Sequence, residues 1–462
     1  MSGRASGLRA AAFAPALLGG VVFALGFLSC VAFAHPPRAS DAADAPADTT
    51  VEGYVRSMAD STDLWFGLSA QAADTAGIDS ARTWALTHPG EAPKRRGAGI
   101  SLAPLLGFNR TLGGALGGEI GAGASRRAGR LTANAQWTTG ADTWFGGGAY
   151  TKRWTAAGED ENGTRLEVRA GRECAGLDRD YHDKLLSAAS AFFFGGDRSH
   201  YLRRDGAQAE LVHRGAGGWL GVGARDEHES PLATTATWTL FGRTPVVIPN
   251  EAARATRVHE VDAQAGVRLA HLPLTLEGRA WSAGGALGGD ADYTRLRLAG
   301  GGAFALGRHV AFAPEFEYGR LTGTALPQEA FYLGGGTLRS LDAQTLQGTG
   351  RALAHADFIV TDALQAMLGM QRAPVFPIQV GAFAGVGSVW GVDPLSGRAA
   401  LTSRDWPDRR DWLAEAGLSV MYRPGLPHPD SFVRIDYAIP IGADGRENRI
   451  YVSYMRALNF LR

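Results

Sequence analysis

Four groups of residues carry side chains capable of chemistry. The first is the glycine-rich stretch Phe331-Tyr332-Leu333-Gly334-Gly335-Gly336-Thr337-Leu338-Arg339. Its three glycines open backbone conformations closed to other residues, so an apolar arm can fold against a tight turn that aims one guanidinium, Arg339, at one place. A phosphate loop is also glycine-rich, but here no lysine follows and no strand-to-helix context is predicted. The second group is Arg295, Arg297, Glu315 and Glu317, set on either side of Leu306-Gly307-Arg308. The third is His182 beside Asp180 and Asp183, which reads as a solvated helix face before it reads as a ligand or base. The fourth is Cys174, a small residue near a strand end more than a reactive thiol. Gly-x-Ser-x-Gly, His-Glu-x-x-His and paired Cys-x-x-Cys patterns are missing, so no enzyme activity, metal or cofactor is expected. The chemistry on offer is ion pairing.

The elements that position these groups begin with a targeting segment. Arg4 and Arg9 precede an apolar run from Ala10 to Phe33 and the small-x-small pattern Ala32-Phe33-Ala34, so residues 1–34 read as a signal peptide. Lipoprotein cleavage before Cys30 fits less well, because Phe27 suits the first position poorly and the apolar run continues past the cysteine. Residues 35–97 read as a short periplasmic extension and linker with too few apolar anchors for an independent core. The 46 basic and 46 acidic residues give zero net charge, which argues against an extended nucleic-acid surface. After residue 34 nothing approaches the roughly 18 to 20 apolar residues of a membrane helix.

From residue 98 the hydrophobic period is two. In 431–440, Val433, Ile435, Tyr437 and Ile439 oppose Phe432, Arg434, Asp436 and Ala438. In 273–284, Leu274, Leu276 and Ala280 oppose Thr275, Glu277 and Arg279. A soluble sandwich would bury the apolar face against a second sheet, whereas an outer-membrane barrel turns it to lipid and lines its lumen with the charges. Long strands, tryptophans at strand ends (Trp137, Trp144, Trp154, Trp219, Trp281, Trp390, Trp412) and alternating short and long connections favour the barrel. The fold class expected is therefore all-β: a transmembrane antiparallel barrel over 98–462 with about sixteen strands, the first near 111–123 and one at 234–243. Thr139-Gly140-Ala141 falls among the tight turns and the segment near Ala157 among the long loops. In such a barrel Arg297 should lie roughly opposite Glu317, with Arg295 and Glu315 close by. These charge pairs suit a cross-linked, closed lumen, and a water-filled pore is the alternative.

With the loop and strands placed, the chain resembles the BamA/TamA superfamily of outer-membrane barrels. The resemblance rests on Phe331 with Gly334-Gly335 as the arm of the sixth loop, and on Leu338-Arg339 as its apolar-Arg motif. Ser340 and Leu341 depart from the family's glycine and aromatic. Further matches are Phe108-Asn109-Arg110, Arg434-Ile435-Asp436-Tyr437 with Pro440, and a last strand carrying Ile450, Val452 and Tyr454. The resemblance implies that Arg339 meets Asp357 on the barrel wall. It also implies a second acid in a Phe-x-Asp-x-Gly motif, here Phe383-Ala384-Gly385-Val386-Gly387, so the acid is missing and a weaker clamp is expected. Residues 35–97 are too short for one standard POTRA domain. The function implied is help in inserting, translocating or anchoring proteins or lipids at the outer membrane of a Gram-negative cell. A passive barrel or small-solute channel is the alternative. Expected partners are outer-membrane lipid and periplasmic or lipoprotein partners, for a monomeric barrel without nucleic acid.

Overall fold

The computed structural model describes residues 99–123, 129–154, 162–179, 192, 199–236, 239, 250, 253–269, 272–306, 310–342, 344–360, 378–422, 431–442 and 445–456. The signal-peptide and extension readings, over 1–97, and His182 with its helix lie outside them.

The described chain is built from strands. In order they are β1 Gly99–Asn109, β2 Gly113–Gly123, β3 Arg130–Thr138, β4 Thr143–Trp154, β5 Gly163–Gly176 and β6 Tyr201–Gly215. Next come β7 Gly218–Pro231, β8 Thr256–Leu269, β9 Leu274–Ala283, β10 Tyr293–Gly302 and β11 Val310–Gly323. The last are β12 Gly350–Val360, β13 Ile378–Trp390, β14 Leu413–Tyr422, β15 Ser431–Ile441 and β16 Arg449–Arg456. The sheet holds seventeen stretches, one of which, Phe304–Ala305, continues β10 beyond Ala303; sixteen strands therefore form a meander. Each pairs antiparallel with the next, from Gly99↔Gly123 to Ser431↔Arg456. Among the described residues no helix is long and apolar enough to cross a membrane.

Two of the expected strands change. Gly99–Asn109 is a strand, so the one near 111–123 is the second, not the first. The segment expected at 234–243 is not a strand over 232–236. There the backbone N–H groups of Thr235 and Ala236 donate to the Arg110 carbonyl, and the Thr235 hydroxyl donates to the Thr111 carbonyl, so these donors serve a turn and not a ladder. The two changes cancel in the count but reverse which rim each early turn occupies. β3 ends on the same rim as β5, β7, β11 and β13, while β4 ends on the other rim, where the two-residue turn 216–217 joins β6 to β7.

Burial along the strands is inverted relative to a soluble protein. On β15, Ile435, Tyr437 and Ile439 are exposed, while Arg434, Asp436 and Ala438 are buried. Leu102, Leu418 and Ile450 are likewise exposed, and Arg295 and Arg351 are fully buried. Apolar side chains thus point outward and ionised ones inward, which is stable only where lipid meets the outer face. The aromatic-belt expectation holds for exposed Trp144 and Trp154 but not for Trp219, Trp281 and Trp390, which are buried.

Candidate functional site

The connection from β11 to β12 does not stand off the rim. After the short turn Pro327–Glu329, Phe331–Leu333 pairs antiparallel with Leu346–Gly348, and Phe331, Tyr332 and Leu333 are all buried. Phe331 rests on Gly319 of β11, where an added Cβ would come within 2.2 Å of the ring. The turn follows from Gly334 and Gly335, with φ of 127° and 61°. The Gly335 N–H donates to the Leu341 carbonyl at 3.0 Å. Leu338, packed with Leu333 and Val389 of β13, fixes the turn, and Arg339 projects beyond it.

Arg339 lies 3.4 Å from Asp357 of β12, and its Nε is 3.4 Å from Asp436 of β15. Its guanidinium stacks 4.2 Å from the centre of the Phe383 ring. Arg434 bridges the same two acids, contacting Asp357 and reaching Asp436 at 2.8 Å. The expectation of a single wall carboxylate is therefore corrected, because β15 supplies the second. Gly385, at the motif position where the acid is missing, has no room for a side chain. An added Cβ would meet the His355 ring at 2.9 Å and Glu415 at 3.3 Å. The Glu415 carboxylate, from β14, accepts the backbone N–H groups of Arg339 at 3.0 Å and Ser340 at 2.6 Å. Arg446 donates to the Ser340 hydroxyl at 2.7 Å, and Arg449 pairs with Asp342.

At its other end the same loop presents an acid to a basic wall. Glu329 is fully buried, 2.6 Å from Arg179 and 2.8 Å from Arg225 of β7. Arg225 serves four carboxylates at once: Glu227 at 3.0 Å, Glu229 at 3.2 Å, Glu260 at 2.7 Å and Glu329. Tyr293 donates to Glu260 at 2.6 Å, and Arg204 pairs with Glu229 at 2.9 Å. Burial pushes the Glu329 carboxyl up to about 8, with Glu260 and Glu229 pushing the same way against Arg225 and Arg295. Its Oε2 is buried and has no hydrogen-bond partner among the described residues. Beside the loop, His200 gives its backbone N–H to Gln344 and sits 3.0 Å from Arg110, with its ring pushed down to about 4 by burial and by that guanidinium.

The second group from the sequence separates. Arg297 faces Gly319, and Glu317 faces Ala299; the ion pair forms on the diagonal at 3.0 Å, with Glu277 as the second partner of Arg297 at 2.8 Å. Arg351 also contacts Glu317. Arg295 is not beside Glu315. It is sandwiched between Trp281 and Phe331, 4.7 and 4.3 Å from the ring centres, and its Nε donates to the Glu329 carbonyl at 3.2 Å. Glu315 pairs across the sheet with Gly301 and His355. Among the residues that the sequence did not single out are Glu329, Arg179, Arg225 and Glu415. The period-two run Arg225, Glu227, Glu229 was the available signal.

Because loop partners lie on β7, β10, β12, β14, β15 and β16, the sheet curves around the loop. The chain is an outer-membrane-type β-barrel with a long loop folded inside. The sequence matches no protein-family model and no curated protein. Among solved structures it is similar to BamA from Haemophilus ducreyi lacking POTRA domains 1–3, at 12% identity, over 78% of this chain and 71% of that one, with a TM-score of 0.50. CdiB from Escherichia coli aligns at 12% identity over 79% of this chain and 63% of that one, with a TM-score of 0.42. Pseudomonas aeruginosa OprD aligns at 13% identity over 78% and 95%, with a TM-score of 0.30. At such identities the BamA likeness establishes the fold, and the expected barrel class stands.

Proposed function

We propose that this barrel works at the outer membrane by helping to insert, translocate or anchor proteins or lipids, through a seam between β1 and β16, without chemistry of its own. The observation that supports this reading is the inward loop, whose turn ties Arg339, Ser340 and Asp342 to β12, β14, β15 and β16, the wall leading to that seam. A loop so placed senses the position of the last strands, since moving β15 breaks the buried Arg339–Asp436 pair and moving β16 breaks the half-exposed Arg449–Asp342 pair. On the seam's other side, Ile100 and Leu102 of β1 are more than three-quarters exposed. Beside them β2 is rich in glycine, Gly113-Gly114-Ala115-Leu116-Gly117-Gly118, with little side-chain packing to hold it.

Cysteines introduced in β1 and β16, in a Cys174→Ala background, test the seam. Cross-linking is expected to abolish the effect of the protein on outer-membrane protein or lipid content. Complete cross-linking with that effect intact would overturn the seam. In planar bilayers the docked loop predicts no steady large conductance, and a permanently open pore would favour a small-solute channel instead.

A further inference from the structure

The outer face of the barrel changes character over β5 to β8. Pairing sets Arg172 of β5 opposite Asp205 of β6, Asp205 opposite His228 of β7, and His228 opposite Arg257 of β8, so one row across four strands is ionisable throughout. The row points outward, because the side chains that alternate with it, Ala175, Leu202, Glu227, Glu229 and Val258, are buried. Towards the 216–217 turn the outward positions of the same strands are apolar, with Val168, Leu211, Val222 and Val261 exposed. The row therefore lies where the apolar band stops, on the rim that carries the β11–β12 and β13–β14 connections. Long connections of this kind face the cell exterior. On β15 the outward positions at that rim, Ile439 and Ile441, are apolar, so the charge is local to β5–β8.

Within the strip, Arg172 Nε donates to Asp205 at 2.5 Å, and Arg203, two residues nearer the rim, has its Nε 2.9 Å from the other oxygen of that carboxylate. One acid thus sets two guanidiniums side by side, each approached through Nε, and their terminal amino groups stay able to grip a further anion. On β7 and β8, Asp226 lies 3.4 Å from Arg257 and 3.2 Å from His259. Three guanidiniums against two carboxylates leave the strip net positive. Its two cationic centres, on β5–β6 and on β8, are roughly 10 to 14 Å apart at about 4.8 Å per strand.

We propose that this strip binds the phosphates of an outer-leaflet glycolipid, Arg172 and Arg203 holding one phosphate and Arg257 a second. Guanidinium forks match phosphate oxygens, and a small net charge in an open, screened site holds a free ion weakly. A phosphate carried by a lipid is different, because acyl contact with the band beneath presents it to the strip at high effective concentration. The inference rests on the barrel and the direction of its outer face, not on the seam.

The test titrates the full-length protein in detergent micelles with diphosphorylated lipid A and with the same lipid stripped of both phosphates, bound lipid being counted by native mass spectrometry. The phosphorylated form is expected to bind about ten-fold or more tightly, and a large excess of inorganic phosphate is expected to leave it bound. Arg172→Gln, Arg203→Gln and Arg257→Gln combined should abolish the preference, whereas Lys152→Gln, which removes a cation near the opposite rim, should keep it. If the combined variant does not fold, Arg257→Gln alone, at a side chain more than half exposed, is expected to weaken the preference about three-fold. Equal binding of the two lipids, an unchanged preference in the arginine variants, an equal loss in Lys152→Gln, or displacement by inorganic phosphate would overturn the proposal.

Discussion

The two docking sites of the inward loop are ten residues apart in sequence and are built with opposite polarity. The turn end places Arg339 between Asp357 and Asp436 over the Phe383 ring, and Glu415 caps the neighbouring backbone. The arm end places Glu329 among guanidiniums that Glu227, Glu229 and Glu260 also claim. The arm-end wall also carries acids, but Arg179, Arg204, Arg225 and Arg295 outnumber them, so each end of the loop supplies the charge that its wall lacks. Similar burial and similar distances can thus carry unequal responses to removing a charge, because Arg225 keeps three other acids when Glu329 is neutralised.

The comparison breaks most sharply at Arg339. Arg339→Ala leaves buried Asp357 and Asp436 sharing Arg434 as the one guanidinium in contact, with the Ser419 hydroxyl still donating to Asp436, and about 3–5 kcal/mol of stability should be lost. Denaturant-dependent loss of the compact, heat-modifiable band on gels measures this; a loss under about 1 kcal/mol would mean that Arg434 alone satisfies both acids. Next is Gly319→Ala, whose methyl would collide with the Phe331 ring at the arm end, for about 1–3 kcal/mol. Its damage should appear in amide hydrogen exchange over 324–333 and spare the turn. Glu415→Gln keeps one acceptor of two and exchanges the other for a donor facing a backbone N–H, at a similar or smaller cost of about 1–3 kcal/mol. It should loosen 334–349 alone, and loosening of both halves would deny the independence of the two ends. The smallest effect belongs to Glu329→Gln, which keeps an oxygen to accept from Arg179 and Arg225 while Glu227, Glu229 and Glu260 still neutralise Arg225, for under about 1 kcal/mol. A loss as large as that of Arg339→Ala would show that the two ends are held alike.

Strand periodicity and the glycine-rich turn were legible because they are local. Alternation in β15 states which side chains face lipid, and Gly334 and Gly335 state where the chain reverses. Gly99–Asn109 was illegible as a strand because it carries no charge to mark an inner face and is broken by Pro104. The segment after residue 231 misled for the reverse reason, since its alternating threonines look like a strand but direct their hydrogen bonds to the Arg110 turn and to Asn250. Within the site, the Arg339–Asp357 contact was expected from the family resemblance. Asp436 was visible as an inward charge, but not as a partner of Arg339, because register across three strands is not written in any one of them. Glu329 and its partners lie 104 and 150 residues apart in sequence, a relation that only the curved sheet creates.

All of this depends on which face of the sheet meets lipid. Spin labels placed singly at positions 435, 437, 438 and 439 of β15, in a Cys174→Ala background reconstituted into bilayers, report it through collision with oxygen, which concentrates in acyl chains, against a water-soluble nickel chelate. The expected result is high oxygen accessibility at 435, 437 and 439 and low oxygen accessibility at 438. Uniform exposure to the nickel chelate, or oxygen accessibility highest at 438, would contradict the barrel and the loop inside it.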